Sequence, residues 1–331
     1  MPHAPEAGQL ASAIRAGEPR ALSRGLSWVE AGGARAETLS ELLYPHTRPA
    51  PGVPHIVGIT GATGAGKSTL VTALAREART GGRKVAVLAV DPSSPYSGGA
   101  ILGDRIRMHE LSADPGVFIR SMATRGALGG LAPAAADAVD LLSAAGYPLV
   151  LVETVGVGQD EVDIMRLAHS TVVVSVPGMG DDIQALKAGI IEIADIHVVN
   201  KADRGGSERT IAELKALLAM QMIPAGGWSV PVLSSVATRG EGAAKLLEAL
   251  DAHLAYLNAS GDMQRRERLI AESRVLKLAQ ARIAETMGHP AGGAGDPLLD
   301  DLDRVARHEL SPHRCAQTAL ARAVHATERR G

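Results

Sequence analysis

Residues 58 to 69 read Gly58-Ile59-Thr60-Gly61-Ala62-Thr63-Gly64-Ala65-Gly66-Lys67-Ser68-Thr69, directly after the apolar run His55-Ile56-Val57. The pattern G-x-x-x-x-G-K-[ST] is met by Gly61, Gly66, Lys67 and Ser68, which marks a phosphate-binding P-loop. Glycines let the backbone turn tightly and aim successive N–H groups at phosphate oxygens. Lys67 is then expected to reach the β- and γ-phosphates while the Ser68 hydroxyl ligates Mg²⁺. A buried strand, the loop and the helix-forming Leu70-Val71-Thr72-Ala73-Leu74 follow one another in the order the motif requires. The whole stretch Gly61, Ala62, Thr63, Gly64, Ala65, Gly66, Lys67, Ser68 and Thr69 is therefore a candidate nucleotide-binding segment. The fold class it implies is α/β, a P-loop NTPase with a mostly parallel central sheet flanked by helices.

A second motif specifies the base. Asp195-Ile196-His197-Val198-Val199 is an apolar strand that runs into Asn200-Lys201-Ala202-Asp203, about 130 residues after the P-loop. This N-K-x-D pattern is the guanine-recognition signature of GTPases. The Asp203 carboxylate can accept from both the N1–H and the exocyclic amine of guanine, and adenine offers no such pair of donors on that edge. Asn and Asp also begin ordinary turns, but a position at the carboxyl end of a strand sets this pair apart. The expected nucleotides are GTP and GDP, with Mg²⁺ as cofactor.

Around these motifs the chain reads as helix, then α/β, then helix. With 331 residues and 46% apolar content it can bury a full α/β core and still carry an appendage of about 70 residues. Apolar spacing at Leu22, Leu26 and Val29 within residues 8–45 lines one helix face, and the Pro-rich stretch Thr47 to Gly52 forms a linker. Strands are expected at 55–60, 84–90, 148–153, 171–176, 195–200 and 230–234, mostly continuous Val/Ile/Leu runs suited to a parallel sheet buried on both faces. From about Gly261 the sequence is charged and helical, with Leu269, Leu276 and Ile283 seven apart, and Ser311-Pro312 opens a last helix as N-cap and N1. The resulting division is a helical segment over 1–50, a GTPase domain over 51–257 and a helical dimerisation segment over 258–331. An apolar face with little core of its own points to a homodimer, an intramolecular helical cap being the other reading.

Composition limits the partners. A formal charge of −2 without a basic stripe argues against a nucleic-acid surface. Cys315 is the single cysteine, so disulfides within the chain and thiolate metal sites are excluded, as suits a reducing cytosol. No apolar run reaches the roughly 18 residues a membrane span needs, and residues 1–6 lack the features of a signal peptide, so a cytoplasmic protein is expected.

Acidic residues complete the phosphoryl-transfer site. Asp91 closes the second strand, Asp104 lies in the glycine-bearing stretch Gly98 to Asp104, and Leu149-Val150-Leu151-Val152 delivers Glu153 at its tip. With Ser68, the carboxylates Asp91, Asp104 and Glu153 form the candidate metal set, direct or through water, at the carboxyl end of the sheet. Lys67, Asp104 and Glu153 are the candidate catalytic groups. In Val155-Gly156-Val157-Gly158-Gln159, Gly156 and Gln159 are placed to sense the γ-phosphate as a switch.

Together these stretches resemble the MeaB/ArgK-type GTPases, of the SIMIBI class, that serve adenosylcobalamin-dependent acyl-CoA mutases of the methylmalonyl-CoA mutase type. The resemblance is carried by GATGAGKST (61–69), AVDPSS (89–94), Gly98 to Met108, LVETVGVGQDE (151–161), PGMGDDIQALKAGI (177–190) and VNKAD (199–203), and covers residues 8 to 285. It implies a GTPase chaperone that gates cofactor loading, protection or repair, with the mutase as partner and its adenosyltransferase as a further candidate. The segment before N-K-A-D acts as an additional switch in that family, which carries over to Asp181, Gln184 and Lys187. The base-contacting segment maps to Val236, Ala237 and Thr238, with the Ala237 N–H expected on guanine O6. Two departures stand out: Thr63 where family P-loops commonly have proline, and Val236 where they commonly have serine. The sequence holds no evident motif for binding cobalamin directly. The 11 histidines are scattered, which disfavours the related nickel-inserting GTPases. His109, His169 and His197 read as structural or surface residues. The rival readings are a P-loop kinase or ATPase acting on a small molecule or transport protein, which would prefer ATP, and a regulatory GTP-binding module without a mutase.

Overall fold

The structure, a computed structural model, describes residues 4–47, 54–91, 111, 113–123, 133–154, 163–178, 192–220, 226–287 and 297–328. Three helices come first: α1 (Ala4–Arg15), α2 (Pro19–Ala31) and α3 (Ala34–Leu43). Then follow β1 (His55–Gly61), α4 (Lys67–Thr80), β2 (Val85–Asp91), β3 (Val117–Ala123), α5 (Pro133–Ala144), β4 (Leu149–Glu153), β5 (Ser170–Ser175), β6 (Ile196–Val199), α6 (Ser207–Ala219), β7 (Val232–Ser234), α7 (Ala243–Ser260) and α8 (Asp262–Met287). The last two helices are α9 (Pro297–Ala306) and α10 (Pro312–Glu328). The first compact unit runs to Ile270 and the second, Ala271–Gly331, holds the rest of α8 together with α9 and α10.

Seven strands form one sheet in the order β3-β2-β4-β1-β5-β6-β7. Every pairing is parallel. Each of the six strands expected from the sequence is present, with ends displaced by a residue or two, and β3 is an addition. Alternation along each strand divides the core in two. Ala86, Leu88, Val150 and Val152 pack on one face with α2, α3 and α5. Val85, Val87, Leu149 and Leu151 pack on the other with Leu70 and Leu74 of α4 and Leu246 and Leu250 of α7. The N-terminal helices thus share a core with the sheet. Each fully buried Leu here contributes about 2 kcal/mol.

The amino end of the sheet is closed by buried polar groups. Ser170 Oγ lies 2.7 Å from His55 Nε2 and 2.7 Å from His253 Nδ1. His253 Nε2 is 3.4 Å from Asp195 Oδ1. Arg266, near the start of α8, donates to both Asp195 oxygens at 2.6 and 2.8 Å and to the His169 carbonyl at 2.7 Å. The Thr171 N–H also donates to Asp195, at 2.8 Å. Burial pushes the His253 pKa down to about 4 and lowers that of His55 as well. The Ser170 hydroxyl, with one proton to give and lone pairs to accept, can donate to one of the two imidazoles while accepting from the other.

In the second unit, α10 begins as its sequence indicates, with the Arg314 N–H donating to Ser311 Oγ at 3.3 Å. Cys315 and Ala319 of that helix are buried, and Leu320 is exposed. Among the described residues no helix is long and apolar enough to cross a membrane.

Candidate functional site

At the carboxyl end of the sheet, β1 delivers the loop 62–66 and α4 begins at Lys67. Gly61 has φ 137°, and a Cβ there would meet the Val174 carbonyl oxygen at 2.2 Å, so the backbone of β5 excludes any other residue. Gly66 has φ 90°, and its Cβ would lie 2.4 Å from Asn200 Nδ2. That missing Cβ lets the Asn200 amide reach the loop and donate to the Ala65 carbonyl at 2.9 Å. The Lys67 ammonium is buried and donates to the carbonyls of Gly61 (2.8 Å) and Ala62 (3.2 Å). The N-terminus of α4 points its first amides and the positive end of its dipole at the same place, as anion sites require.

Ser68 and Glu153 come together as expected from the sequence. Both are buried, and Ser68 Oγ donates to Glu153 Oε1 at 2.7 Å. A hydroxyl and a carboxylate are hard oxygen donors of the kind Mg²⁺ prefers, so this pair fits the expected metal. Asp91 is the last residue of β2, at the same sheet end. Its side chain, and the residues Asp104, Gly156, Gln159, Asp181, Gln184 and Lys187, lie outside the described residues. So does His109.

The N-K-A-D loop, Asn200 to Asp203, follows β6. Asn200 is buried and ties three loops: besides its bond to Ala65, its Oδ1 accepts the Ala237 N–H at 3.1 Å. The Ala237 amide expected on guanine O6 is thus engaged by Asn200 in this chain, and a guanine contact requires that bond to be shared or released. Lys201 adopts φ 56°, rare for a side-chain-bearing residue, and its Nζ donates to the Gly64 carbonyl at 2.7 Å. Backbone of this kind costs about 1–3 kcal/mol and persists where surrounding contacts enforce it, often at ligand sites. Thr69, Asn200, Lys201, Asp203, Val236, Ala237 and Thr238 surround a cavity of about 150 Å³ with Gly66. The sequence reading singled out all of these and missed Arg204, which also lines it. Its only signal was its place next to Asp203. Among the described residues no cluster of three or more His, Cys, Asp or Glu side chains is placed to hold a metal.

A phosphate loop laced by Asn200 to the N-K-A-D loop, at the carboxyl end of an all-parallel sheet, is the architecture of a P-loop NTPase. Residues 22–290 match the family described as methylmalonyl-CoA mutase-associated GTPase MeaB. The chain belongs to this family. A protein of Pyrococcus horikoshii, whose description goes no further than GTPase, is 43% identical over 318 residues, covering 96% of this chain and 98% of its own. The Escherichia coli GTPase ArgK is 37% identical over 76% of this chain and 77% of its own. The mouse methylmalonic aciduria type A homolog, described as mitochondrial, is 34% identical over 80% of this chain and 64% of its own. A solved structure described as LAO/AO transport system kinase superposes with a TM-score of 0.69 over 97% of each chain at 24% identity, a likeness of fold.

Proposed function

We propose that this GTPase is a Mg²⁺-dependent chaperone of an adenosylcobalamin-dependent acyl-CoA mutase, using GTP binding and hydrolysis to gate loading, protection or repair of the mutase's cofactor. The observation that carries the nucleotide part is the Asn200 side chain, which joins the phosphate loop at Ala65 to the base-contacting loop at Ala237. Base and phosphate recognition are thereby linked in one polar unit. The mutase part rests on the family's description and on the name of the mouse relative.

In this reading the loop amides of 62–66 and the α4 N-terminus cradle the phosphates, and Lys67 exchanges its carbonyl partners for phosphate oxygens. Water attacks the γ-phosphorus in line, the bond to the β–γ bridging oxygen breaks, and GDP and phosphate leave. Lys67 stabilises the charge that develops on the transferring group. Ser68 and Glu153 would hold Mg²⁺, with Asp91 and Asp104 completing its surroundings. When bound, that ion supplies charge neutralisation at the phosphates. Asp203 reads guanine. Gly156 and Gln159 serve as the γ-phosphate switch, and Asp181, Gln184 and Lys187 pass the nucleotide state to the mutase, with its adenosyltransferase as a further partner. Leu269, Leu276 and Ile283, exposed on α8, are the homodimer contacts. The protein works in the cytoplasm.

The test is GTP turnover with and without a methylmalonyl-CoA mutase. Turnover alone is expected on the order of 10⁻⁴ to 10⁻² s⁻¹, as for GTPases without an activator. Acceleration by the mutase, lost in Lys187→Ala, supports the chaperone reading. An unchanged rate and nucleotide affinity with every mutase of the source organism would leave a stand-alone GTPase. Phosphate appearing on an acceptor instead of in solution would indicate a kinase.

A further inference from the structure

Behind the base-reading carboxylate stands a short, closed turn. The Val236 N–H donates to the Glu241 carbonyl at 3.0 Å, and the Arg239 N–H to the Val236 carbonyl at 2.9 Å. The Ser235 hydroxyl adds a second bond to the Glu241 carbonyl, at 3.0 Å. Gly240 closes the turn at φ 73°. This turn carries Ala237 on its inner side, where the base cavity lies. Arg239 lies on the outer side and lines an open groove of about 560 Å³ that shares Asp203 and Val236 with the base cavity. Its Nε is 2.9 Å from Glu241 Oε1, and its Nη2 is 4.0 Å from Asp203 Oδ2.

Asp203 therefore borders both cavities, while Arg239 borders only the outer one. To take two guanine donors the carboxylate must be ionised and must stop rotating, and that ordering costs affinity unless it precedes binding. A guanidinium 4.0 Å behind it limits the rotation. Glu241 in turn keeps Arg239 from swinging across the base cavity.

We propose that Arg239 is a positioning residue for guanine specificity, acting through Asp203, with Glu241 holding it in place. This rests on the reading of Asp203 as the guanine contact. The pair is half exposed, at 56% and 45% of the side-chain surface. Exposed pairs of this kind contribute up to about 1 kcal/mol, so the effect should be about two- to fivefold in affinity and should shrink with salt.

The experiment is calorimetric titration of GDP and IDP into wild type, Arg239→Ala, Arg239→Lys, Asp203→Asn and the double variant Asp203→Asn/Arg239→Ala. IDP lacks the exocyclic amine and offers one donor in place of two. Arg239→Ala should weaken GDP by about two- to fivefold and IDP by less. Arg239→Lys should recover most of the GDP loss at low salt. In the Asp203→Asn background, removing Arg239 should change nothing further. Equal losses for GDP and IDP, or the same loss with and without the Asp203 carboxylate, would show that Arg239 merely supports the turn and would overturn the proposal. Asp203→Asn leaving GDP affinity intact would instead overturn the guanine reading itself. If Asp203→Asn weakens GDP and Arg239→Ala does not, the guanine reading stands and the role of Arg239 falls.

Discussion

Strand β6 is bracketed by two aspartates with opposite surroundings. Asp195, just before it, is buried and receives Arg266 on both oxygens and the Thr171 N–H, with His253 Nε2 3.4 Å away. Asp203, just after it, is 45% exposed, and the Arg239 guanidinium stands 4.0 Å from it. A saturated buried carboxylate has no capacity left for a ligand, whereas an open one beside a cavity does. The amino end of the sheet even holds a Ser–His–Asp series, Ser170, His253 and Asp195. Ser170 is fully buried and bonded on both sides, so no substrate reaches it, and the series braces the fold. At the carboxyl end, a serine and a carboxylate, Ser68 and Glu153, meet beside the phosphate loop instead.

If this division is right, changes at the two ends should separate stability from activity. The largest effect is expected for Asp195→Ala, which strands Arg266 and the Thr171 N–H; breaking a buried pair costs about 3 to 5 kcal/mol in unfolding free energy. Urea unfolding checks it, and any GTP hydrolysis by the folded fraction should keep its wild-type rate. Lys67→Ala should do the converse. Losing a preorganised cation at the transferring phosphoryl group should lower the hydrolysis rate about 10²- to 10³-fold, read by phosphate release, with the unfolding midpoint little changed.

A somewhat smaller effect is expected from acid. His253 has a pKa of about 4 in the fold, against 6.5 when free, chiefly because it is buried. As pH falls below 6.5 the unfolded chain takes up a proton that the native chain refuses. The stabilisation present above 6.5 is therefore lost progressively between pH 6.5 and 4, by roughly 3 kcal/mol at most. His55, lowered in the same direction by burial, adds to the slope. Denaturant titrations across that range should show the decline, and His253→Gln should flatten it.

What was legible in the sequence is what is local. The P-loop and N-K-A-D are contiguous motifs at strand ends, and the continuous apolar runs of β1, β2, β4 and β5 announce a sheet buried on both faces. Strand β3 escaped because Arg120 and Ser121 interrupt its apolar residues. It sits at the sheet edge, where Arg120 pairs with Glu30 and donates to Ser27 of α2. The short edge strand β7 was placed to within two residues. Contacts between distant segments were not legible: Asn200 to Ala65 and Ala237, Arg239 to Asp203, and the relay from His55 through Ser170, His253 and Asp195 to Arg266. His169 and His197, read as structural or surface residues, are both buried, and His169 Nδ1 accepts the Ile56 N–H at 3.3 Å. The Ala237 amide, expected on guanine, is held by Asn200 because that side chain reaches across from another loop.

The central claim is that the open carboxylate after β6 reads guanine. It is tested most directly by the nucleotide preference of Asp203→Asn, measured as the affinities for GDP and XDP. The amide that replaces the carboxylate can donate to the xanthine 2-carbonyl but cannot accept two guanine donors. GDP should weaken by roughly 2–3 kcal/mol, the loss typical of a hydrogen bond to a charged group, and XDP should become the preferred ligand. Unchanged GDP affinity, with XDP still excluded, would contradict the account.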